Sequence, residues 1–348
     1  MTIVLRVHGG TDADDAPHFD FSTNSNACGP CPHAFAAVRA ADATRYPDPA
    51  YTALRASLAV MHGVEPGRIV VAASASAFIF CFTAWAAHQG AGSYWRTDHA
   101  YGDYASAAEA WNLQRTSDID GAGLVWACEP SSPLGQTHPR WPRWMSGAAP
   151  DVDAPAPASA RPVVLDCAYA PMRLSGAPGL DAARRDQVWQ LWSPNKSLGL
   201  TGVRAAFAVA PLGSGHVVAQ LEALAASWPV GAHGVALLHA WTQHASQAWL
   251  HQSLQTLVQW KAEQIGTLER LGWECLPSDA NFFCARAPSA LDVSPFLRHL
   301  RAAGVHLRDA ASFGLAGHVR LSVQPPSAQA ALRDAIAGYC SGQAKVCQ

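Results

Sequence analysis

The chain has 348 residues, 49% of them apolar and only 14% charged, with a formal net charge of −2. That length suits about two domains, and low charge with high apolar content excludes a disordered chain. The charge balance leaves no global basic field for nucleic acid and no polybasic run for a lipid surface.

A cytoplasmic setting is expected. The opening MTIVLRVHGG has no long apolar core of a secretion signal. The most apolar stretch, Ala72 to Ala87, falls short of the roughly 20 residues of a bilayer span. Nine irregularly spaced cysteines read as reduced thiols.

In chain order, RIVVA at Arg68 to Ala72 predicts a short buried strand, and residues 75–89, apolar on all sides, a buried helix. LVWAC (Leu124 to Cys128), VVLD (Val163 to Asp166) and AAFAVA (Ala205 to Ala210) predict buried parallel strands. The Ala- and Pro-rich stretch 147–162 predicts an exposed connection, and a helix is expected to end near Trp192. This alternation favours an α/β unit with a parallel sheet. Leu250, Leu254, Leu257, Ile265 and Leu268 recur at helical spacing and predict one long helix from about Ser246 to Leu271. Phe282 to Ala285 and His318 to Val323 then read as strands, and Val293 to Ala303 and Ala328 to Ala337 as helices. Together they predict a compact second, α+β domain.

Of the 24 basic residues, only Lys196, Lys261 and Lys345 are lysines. A chain that uses Arg almost everywhere marks its few lysines as places where an amine is needed, because Arg does not lose its proton. Lys196 sits in SPNKSLGLTGVR, where Gly199 and Gly202 let the backbone bend and other groups approach closely. An amine there can condense with an aldehyde. Asp166 ends the VVLD strand and Tyr169 follows it, at the strand end where open α/β sheets bind ligands. Arg204 supplies an anion holder. A Lys, a strand-end Asp, a Tyr and an Arg are the parts that pyridoxal phosphate requires: the Asp keeps the pyridine nitrogen protonated, the Tyr binds the ring oxygen and the Arg pairs with the phosphate. Lys261 falls beside the apolar stripe of its helix and is expected to lay its stem over apolar neighbours.

From His8 to about Ile336 the chain resembles the fold type I pyridoxal-phosphate enzymes, aminotransferase class I/II, above all the histidinol-phosphate aminotransferases and the threonine-phosphate decarboxylases of cobalamin biosynthesis. SPNKSLGLTGVR is similar to the family's S-x-[SN]-K-x-x-G-L-x-G-x-R segment. The match implies Lys196 as the Schiff-base residue, with Ser193 and Arg204 on the cofactor phosphate. DCAY resembles D-E-A-Y and implies Asp166 at the ring nitrogen and Tyr169 at the ring hydroxyl. RYPDP (45–49) implies that Tyr46 reaches the phosphate of a neighbouring subunit, hence a homodimer. DHAYGDY implies Tyr101 against the ring face. HVRLS and LRDAASFG imply Arg320 on the substrate carboxylate and Arg308 on a second substrate anion.

Two segments depart from the family. EPSSPLG (129–135) puts Ser132 where an Asn usually bonds the ring oxygen; a hydroxyl donates the same bond with less reach. ASAS (73–76) replaces G-[AS]-[SD]-E, leaving Ser74, Ala75 and Ser76 at a helix start that still suits phosphate. CGPC (28–31) reads as the family's N-P-x-G-P turn with cysteines substituted, rather than as a redox pair or zinc ligands.

The resemblance implies a three-layer α/β/α large domain with a mainly parallel sheet (41–245), an N-terminal substrate-lining arm (1–40) and a smaller α+β C-terminal domain (246–348). No metal is expected. HGG (8–10) with DFSTNSNACGP (20–30) resembles the opening of the threonine-phosphate decarboxylases and implies His8, Gly9 and Asn24 in the substrate pocket. The first expectation is therefore a decarboxylase acting on a small phosphorylated amino acid. The alternatives are an aminotransferase of histidinol-phosphate type, for which an amino-alcohol phosphate is the substrate, and a degenerate homologue that binds cofactor without turnover.

Overall fold

A computed structural model describes residues 9–11, 16–145, 161–288 and 291–346. The strands are β1 (Phe19–Asp20), β2 (Ile69–Ala72), β3 (Ser93–Trp95), β4 (Gln114–Arg115), β5 (Leu124–Cys128), β6 (Val163–Asp166), β7 (Trp189–Trp192), β8 (Ala206–Val209), β9 (Glu274–Cys275), β10 (Phe282–Arg286), β11 (Val305–His306), β12 (Arg308–Asp309) and β13 (His318–Ser322). The helices are α1 (Pro32–Arg39), α2 (Thr52–His62), α3 (Ala75–His88), α4 (Gly102–Ala110), α5 (Ala182–Arg185), α6 (Gly215–Leu224), α7 (Ala232–Thr242), α8 (His244–Arg270), α9 (Val293–Ala302) and α10 (Pro326–Val346).

Seven strands form one sheet in the order β2-β8-β7-β6-β5-β3-β4. It is parallel from β7 through β4, and β8 runs antiparallel to both β2 and β7. Four strands form a smaller antiparallel sheet, β12-β13-β10-β9. β1 pairs with β11 in parallel, so the N-terminal segment docks beside the smaller sheet. No helix among the described residues is long and apolar enough to cross a membrane.

The large sheet holds because both its faces are apolar. α3 carries Phe78, Phe82 and Trp85, and Phe82 meets Trp126 and Trp189 edge-on at 6.2 and 5.1 Å. Burying one such ring contributes about 1.5–3 kcal/mol. On the opposite face α1, α2, α7 and α8 bury Val38, Leu54, Leu58, Leu237, Trp241 and Leu250 against Ile69, Val71 and Phe207.

The buried helix, the long helix and the predicted strands form close to where the sequence places them, but AAFAVA, expected as a parallel strand, is β8 and runs antiparallel to both its neighbours, because an apolar run shows burial and not strand direction. The helix expected to end near Trp192 is instead strand β7. Its WQLW run lies between parallel β6 and antiparallel β8 and takes the extended form its neighbours impose; a short apolar run does not reveal its own period. His8 and residues 147–160 of the expected connection lie outside the described residues. β5, β6 and β7 all deliver their C-terminal ends to one edge of the sheet, where the candidate site lies.

Candidate active site

The loop after β7 fixes Lys196 from two sides. From within, Asn195 Oδ1 accepts from Lys196 N at 3.0 Å, and Leu198 N and Leu200 N bond back to Pro194 O and Asn195 O at 2.9 and 2.8 Å. From outside, the segment before α1 donates Asn26 N to Lys196 O at 2.9 Å and Cys31 N to Leu198 O at 2.8 Å. Close approach of these two loops requires Gly199: its φ is +68°, and a Cβ there would lie 3.0 Å from Gly29 Cα and 3.1 Å from Pro30 Cα. CGPC is thus a buttress for the lysine loop, and burial pushes the Cys28 thiol up, opposite to the shift of a reactive thiolate.

The Lys196 amine lies 5.4 Å from the centre of the Tyr169 ring. Asp166, at the end of β6, is buried. Its Oδ2 accepts from Tyr104 OH at 2.7 Å and its Oδ1 from Ala168 N at 2.9 Å. Desolvation pushes its carboxyl up, while those two donors and the charge of Lys196 favour the ionised form. Tyr104 is held by stacking on Trp126, centroids 4.9 Å apart and 6° from parallel. Tyr169 OH accepts from Asn24 Nδ2 at 3.2 Å, and its ring meets Phe282 edge-on at 4.7 Å.

Beside this group, Ser74 caps α3 by accepting from Ala77 N at 3.0 Å, so the amides of Ala75 and Ser76 open the helix. Ser76 Oγ lies 3.2 Å from Tyr101 OH, whose acidity is suppressed by burial. The smaller sheet contributes the cations. Arg308 on β12 and Arg320 on β13 are directly paired across the strands, and both are buried. Their guanidinium carbons lie 5.1 and 5.5 Å from the centre of the Phe313 ring. Arg320 Nη2 donates to Ser22 O at 2.8 Å, and Nη1 lies 3.4 Å from Ser132 Oγ. Arg320 forms no ion pair among the described residues, and its Nε has no partner there. Gly9 presses on the same point, since a Cβ there would stand 3.4 Å from Arg320 Nη2 and collide with the Ser22 carbonyl.

The structure thus brings Lys196, Tyr169 and Asn24 together, with Asp166 near Lys196, and joins Ser76 to Tyr101 and Ser132 to Arg320. It does not enclose two others. Arg204 is exposed, and among the described residues no hydrogen bond ties it to buried Ser193. Tyr46 is 79% exposed and stacks on Trp228 at 4.6 Å, away from its own chain's core. Sequence reasoning gave no role to Tyr104, Phe282 or Phe313. For Tyr104 the signal was available, as the second Tyr of DHAYGDY lies one helical turn from Tyr101. Lys261 also departs from expectation. Its amine is buried and donates to Ser278 O and Ala280 O at 2.5 and 2.8 Å, and burial pulls it down to about 8.

The family model for aminotransferase class I and II matches residues 118–337. The chain belongs to that family. As a class I and II aminotransferase-family protein it is a pyridoxal-phosphate enzyme with the fold type I architecture. It is 28% identical over 349 residues to a histidinol-phosphate aminotransferase of Jannaschia sp., covering 92% of each chain. Its fold is similar to that of histidinol-phosphate aminotransferase from Sinorhizobium meliloti, solved in complex with pyridoxal-5'-phosphate (TM-score 0.71, 19% identity, 94% and 92% of the two chains). It is equally similar to L-threonine-O-3-phosphate decarboxylase from Porphyromonas gingivalis (TM-score 0.71, 20% identity, 92% and 99%).

The residues present fit the family's cofactor. Ser193 Oγ and Asn24 Oδ1 are buried without a hydrogen-bond partner among the described residues, although buried polar atoms are rarely left so. The open end of α3 adds backbone donors where an anion is favoured.

Proposed function

We propose that this enzyme transfers the amino group of a small phosphorylated amine or amino acid, in the manner of a histidinol-phosphate aminotransferase. The observation that carries the substrate class is Arg320, a buried cation with no acidic partner among the described residues, set directly across from Arg308. Two guanidiniums in one pocket suit a substrate with two anionic groups, or one bearing a dianionic phosphate. The choice of transamination over the decarboxylation first expected rests on the curated relatives, which include the Jannaschia aminotransferase.

In this reading Lys196 would hold pyridoxal phosphate covalently, Asp166 would face the ring nitrogen, and Tyr169 and Ser132 the ring oxygen. Ser74, Ala75, Ser76, Ser193 and Arg204 would take the phosphate, and Tyr101 would cover the ring. The bound cofactor supplies an electron sink that weakens the bonds to the substrate α-carbon. The chain's own residues select the reaction. Arg320 and Arg308 would fix the anionic ends and so choose which bond is activated. The Lys196 amine would act as the base for the α-carbon proton. Asn24, through its bond to Tyr169 OH, would hold that hydroxyl in place. Exposed Tyr46 suits a role across a dimer interface. We also infer the division into an arm (1–40), a large domain (41–245) and a small domain (246–348).

A second reading, decarboxylation of threonine phosphate, is favoured by the HGG opening. Gly9 packs so close to Ser22 and Arg320 that no side chain fits, which supports a role for this segment beside Arg320. Holoenzyme given histidinol phosphate and 2-oxoglutarate is expected to form glutamate. Carbon dioxide released from threonine phosphate without glutamate would instead establish the second reading, and turnover of neither substrate would leave the degenerate homologue.

A further inference from the structure

Behind the Asp166–Tyr169 segment lies a cavity of about 500 Å³ that the proposed reaction does not use. Cys167, Ala170 and Pro171 form one wall, so the loop that presents Asp166 and Tyr169 to the candidate site turns these three side chains to this cavity. Trp192 from β7 and Trp241, Leu250 and Leu254 from α7 and α8 form apolar walls. The size is that of a small-molecule site, and so is a mostly apolar lining with a few polar groups.

The two arginines of its lining differ in how they are paired. Arg173 is neutralised by Glu129 at 2.8 Å and Asp279 at 3.3 Å. Arg185 is not: among the described residues it forms no ion pair, and its side chain makes one bond there, a 3.5 Å contact from Nη2 to Leu180 O. Its field reaches His62 and Cys167, two other members of the lining. His62, pulled down to about 4 by burial and by Arg185, is neutral at pH 7, and its Nε2 has no partner among the described residues. A half-buried guanidinium with no paired carboxylate among the described residues, sharing one lining with a neutral imidazole and two indoles, is a receptor for a single negative charge on an apolar body.

We propose that this cavity binds a small monocarboxylate with an aromatic or branched aliphatic body, its carboxylate on Arg185 and its apolar part between Trp192 and Leu254. Such a ligand would rest against the loop that carries Asp166 and Tyr169.

The test uses the holoenzyme and 4-(4-fluorophenyl)butanoate as probe, followed by fluorine NMR and calorimetry. Saturable binding at one site per chain is expected. The uncharged amide of the probe and the Arg185→Gln variant should each weaken binding about tenfold or more, Arg185→Lys should retain most of it, and Leu254→Trp should abolish it by filling the space. Thermal melts of each variant show that the fold is kept, and the Lys and Trp variants decide the matter if Gln unfolds the chain. Binding must survive Arg320→Met, which disables the candidate active site but not this cavity. The proposal is overturned by the absence of saturable binding, by equal affinity for acid and amide, or by binding that is lost with Arg320→Met and kept with Arg185→Gln.

Discussion

Replacing Arg320 by Met separates an anion anchor from an ordinary structural arginine. The side chain is buried, donates to Ser22 O at 2.8 Å and leaves Nε without a partner among the described residues. It shares the space around Phe313 with Arg308, which burial and the charge of Arg320 pull down to about 10. Lying 5.1 and 5.5 Å from one ring centre, the two guanidinium carbons are at most about 11 Å apart, and at an effective dielectric of about 20 they repel by roughly 2 kcal/mol. The substitution removes that repulsion and deprives the Ser22 carbonyl of its donor, a loss of about 1–3 kcal/mol. The terms nearly cancel, so stability should change by less than about 1 kcal/mol. Removing one partner of a neutralised buried ion pair would cost about 3–5 kcal/mol. The response to substrate should differ sharply. A ligand at about 100 times its Kd stabilises the native state by about 2.7 kcal/mol. With an unfolding entropy near 2.1 cal/mol/K per residue, that raises the Tm of a chain this long by about 4 °C. Scanning fluorimetry with histidinol phosphate should show this rise in the parent holoenzyme and none in Arg320→Met. A variant that melts far below the parent without ligand, or that keeps the full rise, refutes the anchor role.

Three further outcomes are expected from individual contacts. Lys261, near 8 in the fold against about 10.4 unfolded, binds protons less readily when folded; the unfolded chain therefore holds more protons between those values, and stability gains about 3 kcal/mol as pH rises through them. Urea melts at pH 7.5 and 10 should show that gain in the parent relative to Lys261→Met, and a pH-independent difference between the two contradicts it. Gly199→Ala should cost about 2–4 kcal/mol through left-handed strain and contact with the Gly29–Pro30 backbone; an unchanged urea midpoint would show that the two loops separate freely. Arg173→Met strands buried Glu129, which also accepts from Gly179 N and His138 N, and should cost about 3–5 kcal/mol. Arg173→Lys should recover part of that loss, and a melt of Arg173→Met that matches the parent would contradict it.

How far the sequence revealed this arrangement depends on the kind of signal each part carries. The buried strands and helix α3 were legible because apolar runs of that length and composition have few other solutions. Lys196 and Asp166 were legible because rarity and position at a strand end are linear features. Strand β7 was misread because WQLW is too short to show a period, and only its pairing with β6 and β8 makes it extended. The role of Tyr104 depends on α4 carrying it back to β6, more than sixty residues further along the chain. Lys261 looked like a side chain laid over apolar neighbours because nothing local announces that the Ser278 and Ala280 carbonyls, nearly twenty residues further on, receive its amine. The exposed positions of Arg204 and Tyr46 were equally invisible, since a motif match carries residue identity but not burial.

The proposed chemistry rests on one amine. Holoenzyme reduced with borohydride, digested and read by peptide mass spectrometry should carry the reduced cofactor on Lys196 and nowhere else. Modification of Lys261, or no modified lysine after saturation with pyridoxal phosphate, would contradict it.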